Sequence, residues 1–255
     1  MLKSFLKWNV DASFRTTPHA LWESRGFAIY EWVAKSLLGE PGVKRVLETG
    51  AGRTWYFGHE DKARRGFYLI GIDIDADELA LNPSLDEAHV GDVCDNLFVP
   101  DNTVDLILCR AVVEHLHDTE AFLRNAQAAL RPGGKAVFVF AGKWAPAMVL
   151  NRIIPAGLAV RLLNALVPGA REYQGFKAYY DKCTHSEFKR ALERSGFEIE
   201  MAYGSYYQSS YYQFFLPLHF LSIVLDHLRQ LIGLRDLAST ILFVARKPEA
   251  ADHRD

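Results

Sequence analysis

The stretch Val46-Leu-Glu-Thr-Gly-Ala-Gly-Arg53, followed by Leu69-Ile-Gly-Ile-Asp73, decides the fold. An apolar run ends in an acid and a Gly-x-Gly turn, and a second apolar run ends in Asp73. Parallel α/β sheets present a nucleoside in this way at the carboxyl ends of neighbouring strands. Glycine lets the backbone approach the ligand, and an acid on the second strand accepts from ribose hydroxyls. The dinucleotide fingerprint Gly-x-Gly-x-x-Gly is broken here, because Trp55 stands at its third glycine. An indole does not fit where only a hydrogen fits. The chain also lacks a Gly-Lys-Ser/Thr phosphate loop. These features favour a nucleoside without phosphates over NAD or ATP.

Further signals follow in order. They are Val90-Gly-Asp-Val93, Asp101-Asn-Thr-Val-Asp-Leu-Ile-Leu-Cys-Arg110, Val113-Glu-His115, and Ala129-Leu-Arg-Pro-Gly-Gly134 before Lys135-Ala-Val-Phe-Val-Phe140. Together they resemble the class I S-adenosylmethionine (SAM) dependent methyltransferases, in the type 11-like group with a Glu-His step and a Leu-x-Pro-Gly-Gly turn. The resemblance covers residues 43 to 141 strongly and the rest in outline. It implies an α/β, Rossmann-like, seven-stranded and mostly parallel sheet with helices on both faces and an antiparallel last strand. It also implies SAM as cofactor and S-adenosylhomocysteine as product. The methyl acceptor is outside its reach.

Strands are expected at Arg45–Thr49, Tyr68–Ile72, Glu87–Val90, Val104–Cys109, Ala136–Phe140, Phe197–Tyr203 and Ser239–Arg246. Ala20–Leu38 reads as one amphipathic helix, with Leu21, Phe27, Ile29, Trp32, Val33 and Leu37 on its apolar side. Thr119–Leu130 reads as another. Thr184 and Glu187 form a capping box for a helix that stops at Gly196. The link after Gly52 is short and aromatic, which predicts a stunted first crossover helix. The chain reads as a single domain over 1–255: a helical cap (1–42), a SAM-binding core (43–141), and acceptor-side insertions at 142–183 and 204–237.

On the family pattern, Glu48, Thr49, Gly50, Ala51, Gly52 and Arg53 surround the methionine end of SAM. The backbone amides of the glycine turn meet that moiety, and Glu48 organises the loop or the ammonium group. Asp73 takes the ribose hydroxyls, a charge-assisted pairing, with Ile74 beside it. Asp92 and the Val93 amide hold adenine. Asp75 and Asp77 read as helix-start acids and Asp95 as a loop acid. Cys109 and Arg110 lie past the fourth strand, where Arg110 meets the SAM carboxylate, the acceptor, or only the surface. His115 is the candidate catalytic residue, suited to take a proton from an alcohol or phenol; the alternative is a plain helix-start histidine. His117 is expected to point elsewhere. Tyr179, Tyr180, Asp181 and His185 are acceptor-side candidates, against an ordinary loop at a helix start. No metal site is expected.

The 255 residues are 49% hydrophobic and 24% charged, with net charge −2, so no basic field recruits nucleic acid. Cys94, Cys109 and Cys183 form no disulfide or zinc pattern, and a reducing, cytoplasmic setting fits them. The amino terminus has no apolar leader run. The 203–225 segment is dense in tyrosine and phenylalanine, and apolar patches occupy 147–167. Both suit peripheral contact with the inner face of a membrane; the alternatives are a homodimer face or a cap over the core. The composite reading is O-methylation of a small or lipid-linked acceptor of sugar, quinone or natural-product type. Its rivals are N- or C-methylation, a nucleotide-sugar or NAD enzyme, and a noncatalytic SAM-fold interaction protein.

Overall fold

The computed structural model describes residues 2–146, 148–149 and 177–249. Strands β1 (Arg45–Thr49), β2 (Tyr68–Asp73), β3 (Glu87–Val90), β4 (Val104–Arg110), β5 (Leu130–Ala141), β6 (Glu198–Ser205) and β7 (Thr240–Arg246) form one sheet in the order β3-β2-β1-β4-β5-β7-β6. β1 to β5 are parallel, and β7 runs antiparallel between β5 and β6. This is the Rossmann-like mixed sheet expected. β1 pairs with β2 on one side and β4 on the other, so successive crossovers leave β1 in opposite directions. Open α/β sheets bind ligands at such a switch point. Thr49 pairs with Ile72 and Cys109, and Asp73 with Val90, so the candidate residues end on one edge.

The two-residue period of the strands divides the core between the faces. Leu47, Ile70, Ile107, Phe138 and Phe140 pack on one side with Phe122 of α6 (Thr119–Ala129) and Phe188 of α7 (His185–Arg194). Val46, Leu69, Leu106, Leu108 and Val137 pack on the other with Tyr30, Val33 and Leu37 of α3 (Gly26–Leu38). Trp55 is buried in this second layer, edge-on to Phe57 and Phe67. The position where dinucleotide folds use glycine is thus filled by core. The crossover helix α4 (His59–Arg65) is correspondingly short and late.

Local chemistry sets the ends. Thr184 caps α7, accepting from the Glu187 amide at 3.2 Å, while its hydroxyl reaches the Glu187 carboxylate at 3.0 Å. Asp75 caps α5 (Ala76–Ala80), accepting from Asp77 and Glu78 amides at 3.0 Å. β5 begins earlier than expected. Val104 pairs with Leu130 and Leu106 with Lys135, so the Arg131–Gly134 turn is a bulge inside the strand.

The amino-terminal segment departs from expectation. The single helix read over Ala20–Leu38 is broken into α2 (His19–Glu23) and α3, with extended backbone at Arg25. A Cβ on Gly26 would lie 2.5 Å from Thr240 Cγ2, so the break lets α3 approach β7 closely. Trp32, expected on the apolar side, faces solvent. A further helix, α1 (Leu2–Thr16), precedes them. The 204–237 insertion holds α8 (Leu216–Ile232) between two short 3-10 turns, Ser209–Tyr212 and Arg235–Leu237. The apolar patches at 147–167, apart from residues 148 and 149, lie outside the described residues.

Candidate active site

The Gly-x-Gly turn is built for close approach. Gly50 has φ +67°, and a Cβ there would sit 2.3 Å from Val112 Cγ2. Its conformation is held by neighbours: the Gly50 and Ala51 amides donate to the Ile72 carbonyl at 2.8 and 3.0 Å, and the Gly52 amide donates to Asp73 Oδ2 at 2.8 Å. The amides expected to meet a methionine moiety are therefore already engaged. Asn82, which sequence reading missed, donates to the Ala51 and Gly52 carbonyls at 3.1 Å. Its only sequence signal is a polar amide between Leu81 and Pro83, a common turn pattern.

Asp73 is buried, and its two oxygens accept from the Gly52 and Asp75 amides, leaving further lone pairs for ligand hydroxyls. Asp92 Oδ1 accepts from the Cys94 amide at 2.8 Å, and Oδ2 lies 3.2 Å from His117 Nε2. His117 thus turns into the wall, contrary to expectation, with its ring edge-on to Tyr179. The Asp92, Cys94 and His117 donor atoms lie within 4.8 Å of one another. Burial pushes the Cys94 thiol up to about 11.

Asp73, Asp92, His117 and Tyr179 line a cavity of about 360 Å³ together with Gly50, Ile74, Val93, Arg110 and His115. His115 closes a short 3-10 turn (Val113–His115), and its Nδ1 lies 3.1 Å from the Lys177 carbonyl. A carbonyl only accepts, so Nδ1 is the donor of this contact. Lys177 and Leu116, which also face this cavity, were missed; neither residue type signals a site by itself.

A second cavity of about 350 Å³ opens beside the first, lined by Arg25, Phe27, Glu31, Tyr56, Tyr207 and Thr240 among others. Arg110 lines both. Its guanidinium lies over the Tyr56 and Phe27 rings at 4.1 and 5.1 Å, and its buried Nε has no hydrogen-bond partner. Two carboxyls are buried nearby. Burial pushes Glu48 well above the usual carboxylate range, against a smaller opposing pull from Arg110. Glu114 is raised by burial too. One oxygen of each, Oε2, is buried without a partner. A buried carboxylate oxygen without a partner calls for a donor, which an ammonium group would supply.

Other candidates lie elsewhere. Arg53 is exposed and paired with Glu78 on α5. Cys109 is fully buried, its thiol pushed up to about 12 by burial. Tyr180 directs its hydroxyl to Met148 Sδ at 3.3 Å. The Asp181 carboxylate accepts from the Thr119 amide. His185 is buried against Phe243 at the start of α7, and burial lowers its pKa. Of the four acceptor-side candidates, only Tyr179 lines the first cavity.

The chain is 35% identical over 127 residues to a Mycolicibacterium smegmatis protein named "Probable S-adenosylmethionine-dependent methyltransferase", a match covering 47% of each chain. The chain therefore spans about half the length of that relative. It is 27% identical over 186 residues to a ubiquinone biosynthesis O-methyltransferase of Xanthomonas axonopodis pv. citri, covering 70% of this chain and 72% of that one. A crystal structure of a SAM-dependent methyltransferase from Mesorhizobium loti shares the fold, with TM-score 0.53 and 22% identity over 85% of this chain and 97% of that one. Residues 21–202 match the methyltransferase domain family, so the chain belongs to the class I SAM-dependent methyltransferases.

Proposed function

We propose that the protein transfers a methyl group from SAM to an oxygen of a small or lipid-linked acceptor, with the cofactor in the first cavity and the acceptor in the second. The observation that carries this reading is the meeting of two cavities at Arg110 on the carboxyl edge of the sheet. Asp73 and Asp92, which line the first cavity, suit ribose and adenine, and the unpartnered buried oxygen of Glu48, two residues before the cavity-lining Gly50, suits the methionine ammonium. SAM supplies an electrophilic methyl on sulfur. The acceptor oxygen forms the new C–O bond as the C–S bond breaks, the electron pair stays on sulfur, and the proton passes to His115 Nε2.

Two cavities that hold both partners side by side supply proximity, a large part of the acceleration of such a displacement. Transfer to oxygen is favoured by His115 and by the likeness to the Xanthomonas O-methyltransferase. A lipid-linked acceptor is favoured by the aromatic 203–225 segment, which contributes Tyr207 and Tyr211 to the second cavity. Among the described residues no helix is long and apolar enough to cross a membrane.

The test is transfer from methyl-labelled SAM to sugar, quinone and lipid-extract acceptors by wild type and His115→Ala. The variant should lose about 10²-fold in turnover, the lower end of general-base contributions, read at saturating SAM because His115 also lines the cofactor cavity. Equal turnover removes His115 as the base. Cofactor binding without transfer to any acceptor favours the noncatalytic rival.

A further inference from the structure

The helix pair α1–α8 is built inside out. On α8, His219, Ser222 and Asp226 share one side at i, i+3 and i+7, and this polar side is the buried one, at 0, 6 and 4% exposure. The opposite side carries Leu221, Leu225, Leu228 and Ile232 at i, i+4, i+7 and i+11, flanked by Val224 and Leu231. Every one of these is at least 47% exposed, and Leu231 reaches 82%. On α1, Asn9 and Ser13 are buried, while Phe5, Trp8 and Phe14 are exposed.

Polar groups hold the pair together. The Leu216 amide donates to Asn9 Oδ1 at 2.8 Å, and Thr17 Oγ1 lies 2.7 Å from His219 Nε2. Asp226 accepts from the Gln208 amide at 3.1 Å and pairs with Arg229. A surface helix ordinarily buries its apolar stripe and shows its polar one. Two neighbouring helices that both do the reverse expose apolar surface that a folded chain ordinarily covers, which marks an interaction site.

Charge decides among occupants. Lys3, Lys7 and Arg15 on α1 and His227 on α8 are exposed. The only acids on the two helices are Asp11, half-buried, and Asp226, buried. A chain of net charge −2 thus keeps exposed carboxylates off this face. Leucines at the centre, tryptophan and phenylalanine beside them and lysines at the rim are the composition of a helix lying in a bilayer interface. In a two-fold dimer the same patch meets itself, which sets cation against cation.

We propose that the α1–α8 face docks on an anionic lipid bilayer. The face leads to the second cavity through stacked rings. Phe14 stacks on Trp22 at 4.9 Å, and Trp22 meets Tyr207 edge-on at 5.6 Å, where Tyr207 lines that cavity. Docking therefore sets the mouth of the second cavity near the lipid surface, and this consequence rests on reading that cavity as the acceptor site.

The test is flotation of the full chain with phosphatidylcholine vesicles made with and without phosphatidylglycerol, alongside S-adenosylhomocysteine titration of the same preparations. The wild type should float with the anionic vesicles, and added salt should weaken the binding. Leu225→Glu/Leu228→Glu should lower it at least ~10-fold, because charges replace apolar area that enters the interface. Lys3→Glu/Lys7→Glu should lower it in anionic vesicles specifically. Both variants should bind S-adenosylhomocysteine as wild type does, since neither touches the cavities. No flotation by cofactor-binding protein overturns the proposal, as does flotation indifferent to Leu225→Glu/Leu228→Glu. Self-association that the same pair abolishes, seen by sedimentation without vesicles, assigns the face to a second copy and also overturns it. Flotation without cofactor binding upholds docking while removing the transferase reading of the cavities.

Discussion

At the carboxyl edge of the sheet, Asp73 and Asp92 face a cavity and are backed by an apolar core of Leu47, Ile70 and Ile107. In the α1–α8 pair the arrangement is reversed: Asn9, Ser13, His219 and Asp226 are inside, and leucine, phenylalanine and tryptophan face out. The first arrangement places polar atoms where a small ligand brings its own donors. The second spends buried hydrogen bonds to hold up an apolar surface, which water alone does not favour. Polarity pattern therefore points to a different partner in each region: a nucleoside at the edge, an apolar phase at the helix pair.

The contrast can be broken by substitution. On α8 the buried polar residue should matter most. Asp226→Ala strands Arg229 and the Gln208 amide, and chemical denaturation should show a loss of about 3 kcal/mol, the lower range for breaking a buried pair. A loss near zero would mean that the polar interior of the pair contributes little. Next comes Asp73, the residue proposed to hold the ribose. Asp73→Ala should weaken S-adenosylhomocysteine binding by about 1.5–3 kcal/mol, the range for hydrogen bonds to a charged group. Thermal stability should fall as well, because the Gly52 and Asp75 amides lose their acceptor. Unchanged affinity would move the ribose elsewhere.

Smaller effects sharpen the picture. Burial raises Glu48, so the folded protein keeps a proton that the unfolded chain releases above pH ~4.3. The folded state is then favoured most at and below the ordinary carboxylate range, and this contribution declines as pH rises toward the raised value. Glu48→Gln should lessen that decline and stabilise the ligand-free protein at neutral pH by about 1 kcal/mol. Glu114, raised in the same direction, keeps part of the slope. Melting temperature against pH for the two proteins checks the sign, and parallel curves would refute it. Smallest of all, Leu228→Ser on α8 should change stability by no more than about 0.5 kcal/mol, as for an open surface site. A large loss there would show the apolar face to be covered in the folded chain.

The sheet was legible because its strands are short apolar runs ended by glycine or acid, and parallel central strands are buried on both faces. Tyr68–Asp73 and Val104–Arg110 each run one residue past the expected end. The helix at Ala20–Leu38 misled because its pattern continues through Arg25, while the break comes from a distant contact, Gly26 against Thr240. Asp73, Asp92 and Gly50 were recognisable from their places at strand ends and in a turn. His117 and Lys177 were not, since only the fold brings the chain after the 3-10 turn and the segment before α7 to one wall. His185, rich in chemistry as a residue type, is a core packing element at a helix start. The inverted pair was hidden for a different reason. Periodicity reveals that a helix has two faces but not which one turns inward; that choice depends on Asn9 and Thr17, some two hundred residues away in sequence.

Calorimetric titration of the protein with S-adenosylhomocysteine, and separately with NAD, tests the central claim most directly. The account predicts a dissociation constant in the region of ~1 μM for the first and no binding heat for the second, because Trp55 fills the place where a dinucleotide fold needs glycine. Binding of NAD with no response to S-adenosylhomocysteine would contradict it and turn the carboxyl edge over to a different cofactor.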